Sequence, residues 1–177
     1  MRYTAAALLG AAMLTACDKN TPLMQKVIAD DPAGASALIA KGADVNARNN
    51  YGWTALSHAA RDGNAELVSL LIKDGADVDA RDQSGWTPLM RAAMKGHAAA
   101  VQVLLDHGAD LNAHEEDGWT ALHWAASRDH LDVVKLLLSR GADYTLRTAD
   151  GSTALMVALK EGNEDVAQVL QDAGARQ

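Results

Sequence analysis

At 177 residues and 49% hydrophobic content, the chain is the right size for one domain and can bury a continuous core. Lys and Arg number 16 against 23 Asp and Glu, and the net charge of −7 excludes the concentrated basic face that a nucleic-acid backbone requires. Aromatic residues make up 4% with no Phe, which suits closely packed helices with small contact residues.

The N-terminal segment differs in character from the rest of the chain. Arg2 supplies a positive start, and Tyr3 to Met13 form an apolar run too short to span a bilayer as a permanent helix. It ends in Leu14-Thr15-Ala16-Cys17, which resembles the lipobox of bacterial lipoproteins. That resemblance implies a signal peptide over residues 1–16, cleavage before Cys17, and acylation of Cys17 as the mature N-terminus. The destination would be the periplasmic side of the bacterial cell envelope. Cys17 is the only cysteine, so no intramolecular disulfide can form. Removing Arg2 leaves 15 of the 16 basic residues against the same 23 acidic ones, a surface that anionic lipid repels, so the acyl chains supply the attachment. Asp18 after Cys17 resembles an inner-membrane retention signal, while Lys19 beside it departs from that pattern, so inner and outer membrane both stay open. Residues 17–20 then form a short tether: Asp18 to Asn20 reach about 10 Å when extended.

From Thr21 onward the chain repeats. Gly52, Gly85, Gly118 and Gly151 recur every 33 residues, as do Thr54, Thr87, Thr120 and Thr153 and the Gly-Ala-Asp triplets starting at Gly75, Gly108 and Gly141. Such a period means stacked supersecondary units. The first unit keeps Thr21-Pro22-Leu23 but has no loop before it, as a terminal cap would, and Asp31-Pro32 reads as a helix start. In the later units each threonine caps a short helix, with Pro88 at the first helical position of one of them. Ala59-Ala60, Ala92-Ala93 and Ala125-Ala126 allow close helix approach. Gly63, Gly96 and Gly162 follow where positive φ is needed, with Asp30 and Asp129 as substitutes at the same column. A second helix carries the apolar load, for example Val101, Val103, Leu104 and Leu105, and a glycine ends it. Gln171 replaces the apolar residue seen at Ile72, Leu105 and Leu138, as the outer face of a C-terminal cap requires.

The strings GWTPLMRAA, DGWTALHWAA and LLLSRGADYTLRTADG resemble ankyrin repeats over residues 21–175. The resemblance implies an all-α repeat solenoid of five stacked helix-turn-helix units linked by β-hairpin loops, with unit boundaries near 21–51, 52–84, 85–117, 118–150 and 151–177. Of the family's Thr-Pro-Leu-His tetrapeptide, only His123 keeps the histidine, which implies weaker polar coupling between units at Ser57, Met90 and Met156.

Catalytic and metal patterns fail on inspection. Asp77 to Asp82 has Arg81 at a ligand position of a calcium loop and no closing glutamate, and His114-Glu115 lacks the second histidine of a zinc-protease motif. No phosphate loop or nucleophile elbow occurs, and neither a catalytic residue nor a cofactor is expected. His97 and His130 share a column with Asn64 and Asn163 and read as helix caps.

By the geometry of the resembled family, loop tips and first helices line a concave face that binds a protein partner. The partner-binding candidates there are Tyr51, Trp53, His58, Arg61, Arg81, Gln83, Trp86, Arg91, Lys95, Glu116, Asp117, Trp119 and Arg128. Trp53, Trp86 and Trp119 form one column. Exposed in a groove they would be hot-spot anchors, and laid over the neighbouring unit they would be structural; both readings stand, with Trp124 assigned to the core. The column of Arg48, Arg81, His114 and Arg147 is expected to face the cluster Glu115-Glu116-Asp117, giving a groove of mixed sign that fits protein better than a polyanion. The expected assembly is therefore a monomeric, membrane-tethered, non-catalytic binding module without nucleic acid, acting as an inhibitor, immunity factor or assembly factor. The alternative is a metal- or small-ligand-binding protein using His107, His114 or His123.

Overall fold

A computed structural model describes residues 19–176. The expected signal peptide over residues 1–16, Cys17, Asp18 and Gln177 lie outside that range.

Ten helices follow one another among the described residues, none longer than nine residues. They are α1 (Pro22–Ile28), α2 (Pro32–Ala40), α3 (Ala55–Asp62), α4 (Ala65–Lys73) and α5 (Pro88–Lys95). Then come α6 (Ala98–Asp106), α7 (Ala121–Ser127), α8 (Leu131–Ser139), α9 (Ala154–Glu161) and α10 (Glu164–Asp172). Helices this short are marginal alone in water, so stacking must hold them. Each odd-numbered helix packs on the even-numbered helix after it, and each layer packs along its own length: α1 on α3, α3 on α5, α5 on α7, α7 on α9, with the even-numbered helices in a parallel series.

The helix ends follow the threonine and aspartate signals. Thr21, Thr54, Thr87, Thr120 and Thr153 each accept a hydrogen bond from the backbone N–H three residues on, and Asp31 does the same for Gly34 at 2.7 Å. Asp30 and Asp129 take the left-handed conformation at φ 54° and 58°, where the other units use glycine.

The core lies between the two layers and inside each. Leu56, Leu89, Leu122 and Leu155 face it from the first layer, and Leu71, Leu104, Leu137 and Leu170 from the second; each set keeps the 33-residue period and is fully buried. Ala60, Ala93 and Ala126 have no exposed surface because the next unit covers them, whereas Leu159 in the equivalent place of the last unit stands 41% exposed. Gln171 is exposed as expected of a cap.

Two expectations are corrected. The connecting loops do not form β-hairpins: no strand occurs among the described residues, only an isolated bridge between His114 and Thr120. Each loop is closed by two backbone bonds, such as Asp82 N–H to the Trp86 carbonyl and Gly85 N–H to the Asp82 carbonyl, both at 3.1 Å, and the chain enters a helix before a ladder can form. His97 and His130 do occupy N-cap positions, but neither ring caps. The His130 ring instead packs on Gly96 of the preceding helix pair, where an added Cβ would come within 2.6 Å of it, and its Nε2–H donates to the Met94 carbonyl at 3.0 Å. Asn163 likewise donates to the Ala126 carbonyl at 2.8 Å; of these four residues only Asn64 accepts the first-turn N–H, as Asp31 does one unit earlier.

Candidate functional site

The loop tips form a continuous ledge along the first-layer helices. Gln83 N–H donates to the Tyr51 carbonyl at 3.1 Å, Glu116 N–H to the Ser84 carbonyl at 3.4 Å, and Ala149 N–H to the Asp117 carbonyl at 2.7 Å. The Gln83 side chain adds a bond to the Asn50 carbonyl at 2.9 Å. Tyr51, Ser84, Asp117 and Asp150 therefore stand in one row at the 33-residue period, on a backbone held from unit to unit.

Within each tip one residue organises the turn. Asn49, Asp82 and Glu115 accept from two backbone N–H groups of their own loop, and Thr148 serves the same column through its hydroxyl. Glu115 is consequently buried and does not join Glu116 and Asp117 on the surface, contrary to the expected three-residue acidic cluster. The expected basic column is also redirected. Arg48 donates to the Arg81 carbonyl and Arg81 to the His114 carbonyl at 2.7 Å, tying successive loops together, and Arg147 donates within its own loop to the Gly151 carbonyl at 2.6 Å, so these guanidinium groups bond loop backbone rather than facing the acidic residues.

Below the ledge two columns interdigitate. Trp53, Trp86 and Trp119 alternate with His58, Arg91 and Trp124, which lie five residues later in each unit. The Arg91 guanidinium sits 3.5 Å from the Trp53 ring centre and 5.2 Å from that of Trp86. Trp124 lies between Trp86 and Trp119, with ring centres 4.5 and 4.4 Å away, and His58 is 4.9 Å from Trp53. Trp124 thus belongs to this half-buried ladder rather than to the core interior. Arg91 is only 8% exposed and pairs with Asp82, whose side chain is 5% exposed. Burial pushes the Arg91 guanidinium below its ordinary value, and the charge and hydrogen bond of Asp82 oppose that shift.

Tyr51, Trp53, Gln83, Trp86 and Arg91 meet around one open depression of about 420 Å³, together with Asp82 and Ser84. The other candidates are spread out. Arg61 pairs with Asp62 at 2.7 Å and lies 5.2 Å from the Trp53 ring centre. Glu116 and Asp117 are exposed farther along the ledge, Arg81 is exposed at a loop, and Lys95 and Arg128 are exposed at the far ends of α5 and α7. Asp82 was not among the sequence-derived candidates. The signal that finds it is its place in the column with Asn49 and Glu115, four residues before Trp86, from whose N–H its carboxylate accepts a hydrogen bond.

The three histidines of the alternative reading are apart in role. His107 Nδ1 bonds the Val103 carbonyl at 2.8 Å, and His114 Nδ1 bonds the Glu115 carbonyl at 3.1 Å. Buried His123 accepts from Thr120 N–H at Nδ1 and donates from Nε2 to the Ser152 carbonyl of the next helix pair at 3.3 Å. Burial lowers its pKa, against the raising effect of its backbone bonds to Ser152 and Leu146. Ser57 instead turns its hydroxyl back on Thr54, 3.1 Å away. Among the described residues no group of three or more His, Cys, Asp or Glu could hold a metal, and no helix is long and apolar enough to cross a membrane.

A two-layer stack of short helix pairs, with loop tips bonded into a ledge along one flank, defines a repeat scaffold whose working part is a surface. The family model 'Ankyrin repeats (3 copies)' matches residues 3–82, 23–115, 62–148 and 113–177, and the chain belongs to the ankyrin-repeat family. That family is in general a non-catalytic scaffold for protein–protein interaction. No match was found among curated proteins.

Proposed function

We propose that the chain is a non-catalytic, monomeric binding module of five ankyrin units, bounded near 21–51, 52–84, 85–117, 118–150 and 151–177. A lipid on Cys17 tethers it to a membrane of the bacterial envelope on the periplasmic side. Its concave face, made of the ledge and the first-layer helices, holds a protein partner. Two forms of this role fit: blocking a toxin or hydrolase as an inhibitor or immunity factor, or escorting an envelope enzyme as an assembly factor.

One observation carries the reading. The tips are bonded to one another through backbone groups, which leaves Tyr51, Glu116 and Asp117 projecting from a rigid rim beside an open depression. A pre-organised surface loses little freedom on association, which is where affinity is otherwise lost. The tether reading draws support from Asn20, whose side-chain carbonyl accepts from Asn49 at 2.8 Å, so the chain is held to the first loop from three residues after Cys17 in the sequence.

The test is affinity capture by the lipid-free domain from native envelope extract, with a Tyr51→Ala/Glu116→Ala variant alongside. A protein held by the native domain and lost from the variant, at unchanged circular dichroism, supports the proposal. Equal recovery by both would place the partner elsewhere.

A further inference from the structure

The ledge and its depression leave only certain chemistry available to a partner. The flat faces of the tryptophans are already occupied: Arg91 lies 3.5 Å from the Trp53 ring centre, and Trp124 stacks between Trp86 and Trp119 at 4.5 and 4.4 Å. A sugar ring or a nucleobase, which would be recognised by stacking on such faces, has to displace Arg91 from Trp53 or Trp124 from Trp86 and Trp119 to use them. Tyr51 is different. It stands 52% exposed at the rim, one of three large hydrophobic residues so placed among the described residues. The depression beside it is charge-balanced, since Asp82 neutralises Arg91, so it suits an uncharged, bulky side chain. In its wall Arg91 Nε has no acceptor.

Farther along the same row the chemistry changes. Glu116, Asp117 and Asp150 are exposed on the ledge, and none is in an ion pair among the described residues. Hydrogen bonds from the Thr148 hydroxyl and then Ser152 hold Asp150 below the usual carboxylate range, so it is anionic at neutral pH. Apart from Lys160, whose charge also acts on Asp150, the basic residues of this flank are committed or distant. Arg61 and Arg91 are paired, Arg81 and Arg147 bond loop carbonyls, and Lys95 and Arg128 sit about 10 Å away at the far ends of eight- and seven-residue helices. The row thus runs from an aromatic end at Tyr51 to an anionic end at Asp117 and Asp150.

We propose that this row binds an extended segment of the partner protein carrying a bulky apolar side chain, seated against Tyr51 in the depression, and basic residues that meet Glu116, Asp117 and Asp150. The inference rests on the reading of the concave flank as a protein-binding surface and names the partner's chemistry. An extended segment fits because the ledge is itself a continuous run of tip-to-tip bonds, and opposite charge along its second half sets the register and excludes acidic segments.

A displayed library of random peptides of about 12 residues, an extended-segment probe, selects binders of the whole domain. Recovered sequences are titrated by fluorescence anisotropy against native protein, Tyr51→Ala, and Glu116→Gln/Asp117→Asn. The side chains of Glu116 and Asp117 accept no bond from the described residues, so the second variant leaves the fold intact. The expected result is enrichment of a bulky apolar residue near Lys or Arg. Affinity should fall about three- to tenfold in the amide variant at low ionic strength, with the difference shrinking at high salt. Binders that depend on Tyr51 but are neutral or acidic would overturn the charge assignment while leaving the concave-face reading standing. If no sequence is enriched, or the recovered peptides bind Tyr51→Ala equally well, both fall.

Discussion

Replacing Arg91 with alanine probes the ladder at its tightest point. The guanidinium touches Trp53 at 3.5 Å, reaches Trp86 at 5.2 Å and neutralises a carboxylate that is itself buried. Breaking a buried pair from one side costs about 3–5 kcal/mol, because the remaining charge stays in a poorly solvating site. Asp82 keeps its two backbone donors, Ser84 and Trp86 N–H at 2.9 and 3.0 Å, which places the loss at the lower end. The vanished contact with the Trp53 ring adds about 1 kcal/mol. The sum is about 3–4 kcal/mol, read from urea unfolding followed by tryptophan fluorescence and far-UV circular dichroism. Removing both charges, as Arg91→Leu with Asp82→Asn, should recover most of that loss, since the amide still accepts both backbone bonds and no buried charge remains. A loss below about 1 kcal/mol for Arg91→Ala, or a double variant as unstable as the two single losses added, would refute the reasoning.

Three further outcomes are expected. Leu104→Ala, at a fully buried position of the second-layer column, should cost about 2–5 kcal/mol in urea unfolding, against less than about 1 kcal/mol for Gln83→Ala, which removes one exposed bond. Burial holds the pKa of His123 below its ordinary 6.5, so between those values the unfolded chain binds more protons than the folded one. The stability that neutral His123 supplies is therefore complete above pH 6.5 and declines as pH falls through that value toward the folded pKa; in thermal melts from pH 7.5 to 5.5 the native protein should lose more than His123→Ala does. Cys17→Ser should move the protein from the membrane to the soluble fraction, and persistence at the membrane would count against lipidation.

The helix framework was legible in the sequence because its determinants are local and repeated. Thr54 and Thr87 announce caps, Gly63 and Gly96 the left-handed turns between paired helices, and Leu71 and Leu104 the second layer. The flank was read less completely, because its side chains choose between a neighbouring unit and solvent. Arg81 looks like a groove cation until its bond to the His114 carbonyl is seen, and Glu115 looks like surface charge until its two loop N–H donors are counted. The ladder needed both registers at once: Trp53, Trp86 and Trp119 are visible as a column, while His58, Arg91 and Trp124 keep the same period with three different residue types, so no identity marks them. The last unit shows the same lesson at Leu159, where the column of small residues ends as the covering unit ends.

The central claim is that the ledge flank, and not the outer layer, meets the partner. A photo-crosslinking amino acid placed at Gln83 on the ledge, and separately at exposed Ser139 on α8, tests it directly in intact cells that make the full-length chain. A discrete protein adduct from position 83 and none from position 139 is the predicted result; an adduct only from position 139 would contradict it.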